Sequence, residues 1–123
     1  MKKILVVDDE AINRTATMLM LKVELSDMSV EIVLAEDGDV ALEMIRAGGI
    51  HCMVTDNNMP RMMGSELVEQ LRREGYQTPI IMVTGDDPDQ ISEPTKLMVQ
   101  GVFYKPVNAD ALVDCVRQWL MTL

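Results

Sequence analysis

Five short, mostly apolar runs recur along the chain, at positions 3–7, 29–35, 51–56, 80–84 and 102–105. After each run the apolar residues return at helical spacing. Near-continuous apolar runs such as Ile4-Leu5-Val6-Val7 and Ile80-Ile81-Met82-Val83 mark strands covered on both faces. Strand and helix alternating in this way leave few architectures open. The pattern predicts an α/β fold: a parallel sheet with helices on both faces. A chain of 123 residues is one such domain, expected to span residues 1–123.

The helical stretches carry their own punctuation. Ile12, Ala16, Leu19, Met20 and Val23 are the expected core stripe of the first helix. Asp37-Gly38 is a turn before a second stripe of Val40, Ala41, Met44 and Ile45, which Gly48-Gly49 ends. Leu67, Val68 and Leu71 share a face within 65–74, and Gly75 stops that helix. A short fourth helix is expected between about 90 and 100, with Pro94 making it begin late or kink. Asn108 is a good N-cap for the last helix, with Leu112, Cys115, Val116, Trp119 and Leu120 facing inward.

Bulk properties exclude several function classes. A net charge of −9 disfavours nucleic acid and anionic membranes, and suits divalent cations or basic partner surfaces. No run is long enough to cross a bilayer. The apolar run after Met1-Lys2-Lys3 is too short for a signal peptide and leads into acids, so a cytoplasmic protein is expected. Cys52 and Cys115 lie in apolar contexts as expected free thiols, and with His51 they give no zinc-ligand spacing. His51 is read as structural or solvated. Of the 12 methionines most are expected to fill core gaps, while Met62 and Met63 sit in a loop where they could belong to a contact surface.

The chemistry gathers at strand ends. Asp8-Asp9 follow the first strand, Asp56 ends the third, Thr84 the fourth and Lys105 the fifth. In a parallel sheet these ends share one edge, where α/β folds bind ligands. Asp8, Asp9 and Asp56 would crowd three carboxylates, which repel unless a cation intervenes. Mg2+ (or Mn2+) suits such a site, being a hard ion that takes carboxylates, a carbonyl and waters. With the Lys105 ammonium and the Thr84 hydroxyl beside them, the set suits phosphoryl transfer to Asp56 as nucleophile, giving an aspartyl phosphate.

The chain resembles, over essentially its full length, the receiver domain of two-component response regulators. The motifs are Ile4-Leu5-Val6-Val7-Asp8-Asp9; Ala35-Glu36-Asp37-Gly38 with Ala41-Leu42; Asp56 with Met59-Pro60 and Gly64; Pro79 through Thr84; and Lys105-Pro106. The resemblance implies a flavodoxin-like (βα)5 sandwich with sheet order 2-1-3-4-5. It implies that Asp56 is the phosphoacceptor. Asp9, Asp56 and the backbone carbonyl of Asn58 would hold the metal, with Asp8 acting largely through a bound water. Thr84 would hydrogen-bond the phosphoryl group after a loop shift, and Lys105 would pair with its oxygens. The donor would be a histidine kinase or histidine phosphotransfer protein, and the recipient of the signal a downstream protein or a fused output domain. A phosphorylation-dependent homodimer remains open, as does whether this is a stand-alone receiver or the N-terminal piece of a longer protein. Such a domain is not an enzyme beyond its own phosphotransfer and dephosphorylation.

Three positions depart from the family pattern. Met63 replaces the acid usual before Gly64. Val102 stands where an aromatic switch residue is usual, and strand alternation places Tyr104 on the same face as a candidate substitute. Asp86-Asp87-Pro88-Asp89 and Pro94 make the fourth-helix region unusual. The alternative reading is a binding module of the same fold that signals without phosphate. A metal-dependent phosphohydrolase is disfavoured, because Glu10-Ala11 follow Asp8-Asp9 where a second acid two positions on is needed. A flavin or dinucleotide role is disfavoured because no glycine-rich phosphate loop follows any strand.

Overall fold

The alternation is realised in full in the computed structural model, which describes residues 1–122. The order is β1 (Lys2–Val7), α1 (Ala11–Glu24), β2 (Val30–Ala35), α2 (Gly38–Ala47), β3 (Cys52–Thr55), α3 (Gly64–Arg73), β4 (Ile80–Thr84), α4 (Glu93–Met98), β5 (Gly101–Tyr104) and α5 (Ala109–Met121). All strand pairings are parallel, and the sheet order is β2-β1-β3-β4-β5.

The two-residue period of the strands splits the core into two apolar layers. Leu5, Val7, Met53, Ile80 and Met82 meet α2 and α3 on one side. Ile4, Val6, Cys52, Val54 and Ile81 meet α1 and α5 on the other. In β5 the same rule sends Val102 and Tyr104 to the first layer and Phe103 to the second. Tyr104 therefore does share a face with Val102.

Two helical stripes turn out differently from their periodicity. In α1 the inward residues are Met20 and Leu21, with Leu25 just beyond the helix. Ile12, Leu19 and Val23 are 83%, 52% and 69% exposed, and Ala16 between them is exposed too. The helix carries two apolar stripes, and spacing alone cannot say which one the sheet covers. In α2, Leu42 is buried with Ala41 and Ile45, whereas Val40 faces solvent.

The fourth helix does begin late. A 3₁₀ turn at Pro88–Gln90 precedes it, and Pro94 sits in the first turn of a six-residue α4. Ser92 caps that turn by accepting from the Thr95 N–H. A helix this short needs outside support. Buried Ile91 and Thr95 supply part of it. Arg72 supplies more: its guanidinium donates to the carbonyls of Met98, Tyr76 and Thr78 and to Gln100 Oε1. Gln100 Oε1 also accepts from the Ile80 N–H, so one hub joins α3, α4 and β4.

His51 works at the opposite end of the sheet from the strand-end acids. Its Nδ1 accepts from the Lys3 N–H at 3.0 Å, and its own N–H donates to the Lys3 carbonyl. Burial, then the charges of Lys2, the N-terminus and Lys3, push its pKa below the ordinary histidine value. The folded state thus binds a proton less readily than the unfolded chain, so this tie weakens as pH falls below about 6.5. The expected result is that wild type loses urea resistance between pH 7 and pH 5 more than His51→Asn does. Equal losses in the two proteins would show that His51 takes no part.

Candidate functional site

Main-chain ladders carry the acids to one edge. The Asp8 N–H donates to the Ala35 carbonyl, the Asp56 N–H to the Val7 carbonyl, and the Lys105 N–H to the Thr84 carbonyl. Each ladder thus runs one residue past its strand, and side chains from β1, β3 and β5 meet there. One carboxylate oxygen from each of Asp8, Asp9 and Asp56 lies within 4.8 Å of the others. Lys105 Nζ is 3.6 Å from Asp56 Oδ2.

The surroundings of Asp56 make its two oxygens unequal. The carboxylate is buried, and Oδ1 accepts from the Asn57 N–H at 2.7 Å and the Asn58 N–H at 3.3 Å. Two successive backbone donors of this kind form a small anion cradle. They fix the carboxylate and leave Oδ2 on the side of Lys105. Gly64 permits this loop: a Cβ there would lie 2.3 Å from the Asp56 carbonyl oxygen and 2.8 Å from Asn57 Cα. Gly38 is required in a related way, because Met62 packs where its Cβ would be. Arg61, at φ 66°, reaches from the same loop to Asp37 at 2.7 Å, and Asp37 also caps α2.

Asp8 shows the electrostatic strain of the cluster. Burial raises its pKa, the Glu10 N–H opposes that, the Asp56 charge raises it, Lys105 lowers it and Asp9 raises it, with a net upward shift. Its backbone carbonyl accepts from Arg14 Nη1 at 2.8 Å. A partly exposed pocket of hard anionic oxygens, short of compensating charge, fits a small divalent cation such as Mg2+.

Thr84 is fully buried at the end of β4, beside Tyr104 in the sheet register. Its Oγ1 accepts from the Asp86 N–H at 3.1 Å. Asn58 is exposed in the loop after Asp56. The structure therefore gathers Asp8, Asp9, Asp56 and Lys105 closely, and sets Thr84 at the end of β4 and Asn58 on the loop after β3. Val102 and Tyr104 lie half-buried on the α2–α3 layer. Sequence reasoning passed over Asn57 and Asp86. Asn57 is 2% exposed, and its amide donates to Asp86. An amide next to a strand-end acid was the available signal for Asn57. Nothing in the acidic run marked Asp86 from its neighbours.

Known proteins resemble the chain in sequence and in fold. The family model of the response regulator receiver domain matches residues 4–117. The chain is 36% identical over 108 residues to the Regulator of RpoS of Escherichia coli K12, covering 87% of this chain and 31% of that protein. It thus spans about a third of that relative's length. It is 34% identical over 120 residues to the chemotaxis protein CheY of Pseudomonas aeruginosa, covering 94% of each. The crystal structure of the response regulator TrrA of Thermotoga maritima, in complex with Mg(2+)-BeF, is similar at 30% identity and a TM-score of 0.78, covering 97% of this chain and 99% of that one.

Proposed function

The chain belongs to the response regulator receiver domain family, and on that footing we propose that it is a switch driven by phosphorylation of Asp56. The observation that carries this reading is the inequality of the Asp56 oxygens: Oδ1 held by two backbone donors, Oδ2 facing an ammonium. In the reaction Oδ2 forms a bond to phosphorus as the P–N bond of a donor phosphohistidine breaks. The imidazole nitrogen keeps the electron pair. The Lys105 ammonium stands where charge builds on the phosphoryl oxygens. Asp8 and Asp9, with Asp56 and the Asn58 carbonyl, would hold the magnesium ion. Bound there, magnesium offsets the crowded anions and stabilises the transferring phosphoryl group.

Phosphorylation adds charge and acceptor oxygens. The Thr84 hydroxyl turns toward them, the loops after β3 and β4 shift, and the surface of α4, β5 and α5 changes for a downstream protein or fused output domain. Tyr104, beside Thr84, is the aromatic placed to follow that shift. The test is incubation with magnesium and acetyl phosphate, read by intact mass. A wild-type protein that gains no phosphoryl group refutes the reading and favours a binding module that works without phosphate.

Lys105→Ala separates the roles of metal and ammonium. Lys105 pairs with Asp56 Oδ2 as a cation and offers no ligand atom to a metal. The variant is expected to bind magnesium within a few-fold of wild type while losing the spectroscopic change on adding beryllofluoride. Loss of magnesium affinity would contradict the assignment.

The exposed stripe of Ile12, Ala16, Leu19 and Val23 starts one turn from Asp9. Its i, i+4, i+7, i+11 spacing suits a partner helix laid along α1, and its start beside the acidic edge suits a donor histidine kinase or phosphotransfer protein. Ile12→Glu with Leu19→Glu is expected to slow transfer from such a protein donor at least tenfold, by burying two charges at the contact. Labelling by acetyl phosphate should be unchanged. Equal slowing with both donors would remove α1 from the docking surface.

A further inference from the structure

One side chain, Asp86, joins the loops after β3 and β4. Its Oδ2 accepts from the Asn57 amide at 2.9 Å and its Oδ1 from the Asn58 amide at 3.3 Å. Its own backbone N–H donates to Thr84 Oγ1. Asn57 extends the chain of bonds, since its Oδ1 accepts from the Ser65 N–H in the first turn of α3. A buried threonine, a carboxylate, two amides and a helix start are thereby one connected unit.

We propose that Asp86 is a positioning residue, a latch that holds Thr84 and the loop beside Asp56 in the resting arrangement. This rests on the reading of Asp56 as phosphoacceptor. The Thr84 side chain cannot re-aim toward a group on Asp56 without giving up the Asp86 N–H. A shift of the loop after β4 that accompanies this turn would carry the Asp86 carboxylate off both amides. Hydrogen bonds to an ionised acceptor are among the stronger ones in proteins, and here two open together. Bonds that open in the shift bias a two-state equilibrium against the phosphorylated form. Removing the carboxylate leaves the metal-binding acids in place and releases the bias.

The experiment is calorimetric titration of wild type, Asp86→Ala and Asp86→Asn with beryllofluoride in saturating magnesium, and with magnesium alone. Asp86→Ala is expected to bind beryllofluoride about tenfold more tightly than wild type, the effect of releasing roughly 1.4 kcal/mol of bias. Asp86→Asn keeps one acceptor and should fall between the two. Magnesium alone should bind within about threefold of wild type, since a screened charge outside the acid cluster is lost. A merely structural role would loosen the loop and weaken beryllofluoride binding. Equal or weaker binding by Asp86→Ala, with wild type binding normally, overturns the latch alone. Wild type that ignores beryllofluoride overturns the phosphoacceptor reading and the latch with it.

Discussion

Asp56→Asn, incubated with magnesium and acetyl phosphate, is expected to gain no phosphoryl group, while wild type gains one. The substitution keeps the size of the side chain, and the Asn57 and Asn58 N–H groups can still bond its oxygen. What disappears is the anionic oxygen beside Lys105. A neutral amide is a far poorer nucleophile toward phosphorus, so the loss should be complete on the timescale of wild-type labelling. Magnesium affinity should fall too, because one of three clustered carboxylates is gone. Intact mass reports the first effect and calorimetry the second. Phosphoryl uptake by the variant at the wild-type rate would move the acceptor elsewhere.

Gly64→Ala should damage fold and site together. The new Cβ would meet backbone atoms of Asp56 and Asn57, which have no rotamer to escape through. Either the start of α3 or the loop after β3 must shift. The Gly64 N–H bond to the Asn57 carbonyl, 2.8 Å, then lengthens as well. Overpacking of this kind costs roughly 3 kcal/mol, a fall in Tm of about 10 °C for a domain of this size. The same shift moves the two donors that fix Asp56 Oδ1, so magnesium binding should weaken in the folded variant. A thermal melt and a magnesium titration on one preparation check both. An unchanged melt would show that the loop after β3 yields to the added methyl without cost.

Sequence and structure agree where one signal decides and part where two compete. Strand runs such as Ile80–Thr84 are apolar throughout and bounded by turn residues, so their place was legible. The acids were legible because strand ends of a parallel sheet share an edge, whatever the spacing between Asp8, Asp56 and Lys105. The inward face of α1 was not, because Ile12-Ala16-Leu19-Val23 and Met20-Leu21-Leu25 are both apolar at helical spacing. Only the position of the sheet chooses between them. Asp86 was illegible for another reason. Three acids stand within four residues there, and only tertiary structure brings one of them to Asn57 and Asn58.

The division of the core into two layers has a consequence for how a partner experiences this domain. Tyr104, Val102, α3 and the residues flanking α4 all belong to one layer, whereas α1 and α5 rest on the other. The central sheet stands between them like a bulkhead. Repacking on the Tyr104 side reaches α1 only across the sheet or through α5, so a donor seated along α1 would feel a smaller change of relief than a partner on α4 and β5. Its departure would then be governed more by charge at the shared edge than by a change in the shape of its berth.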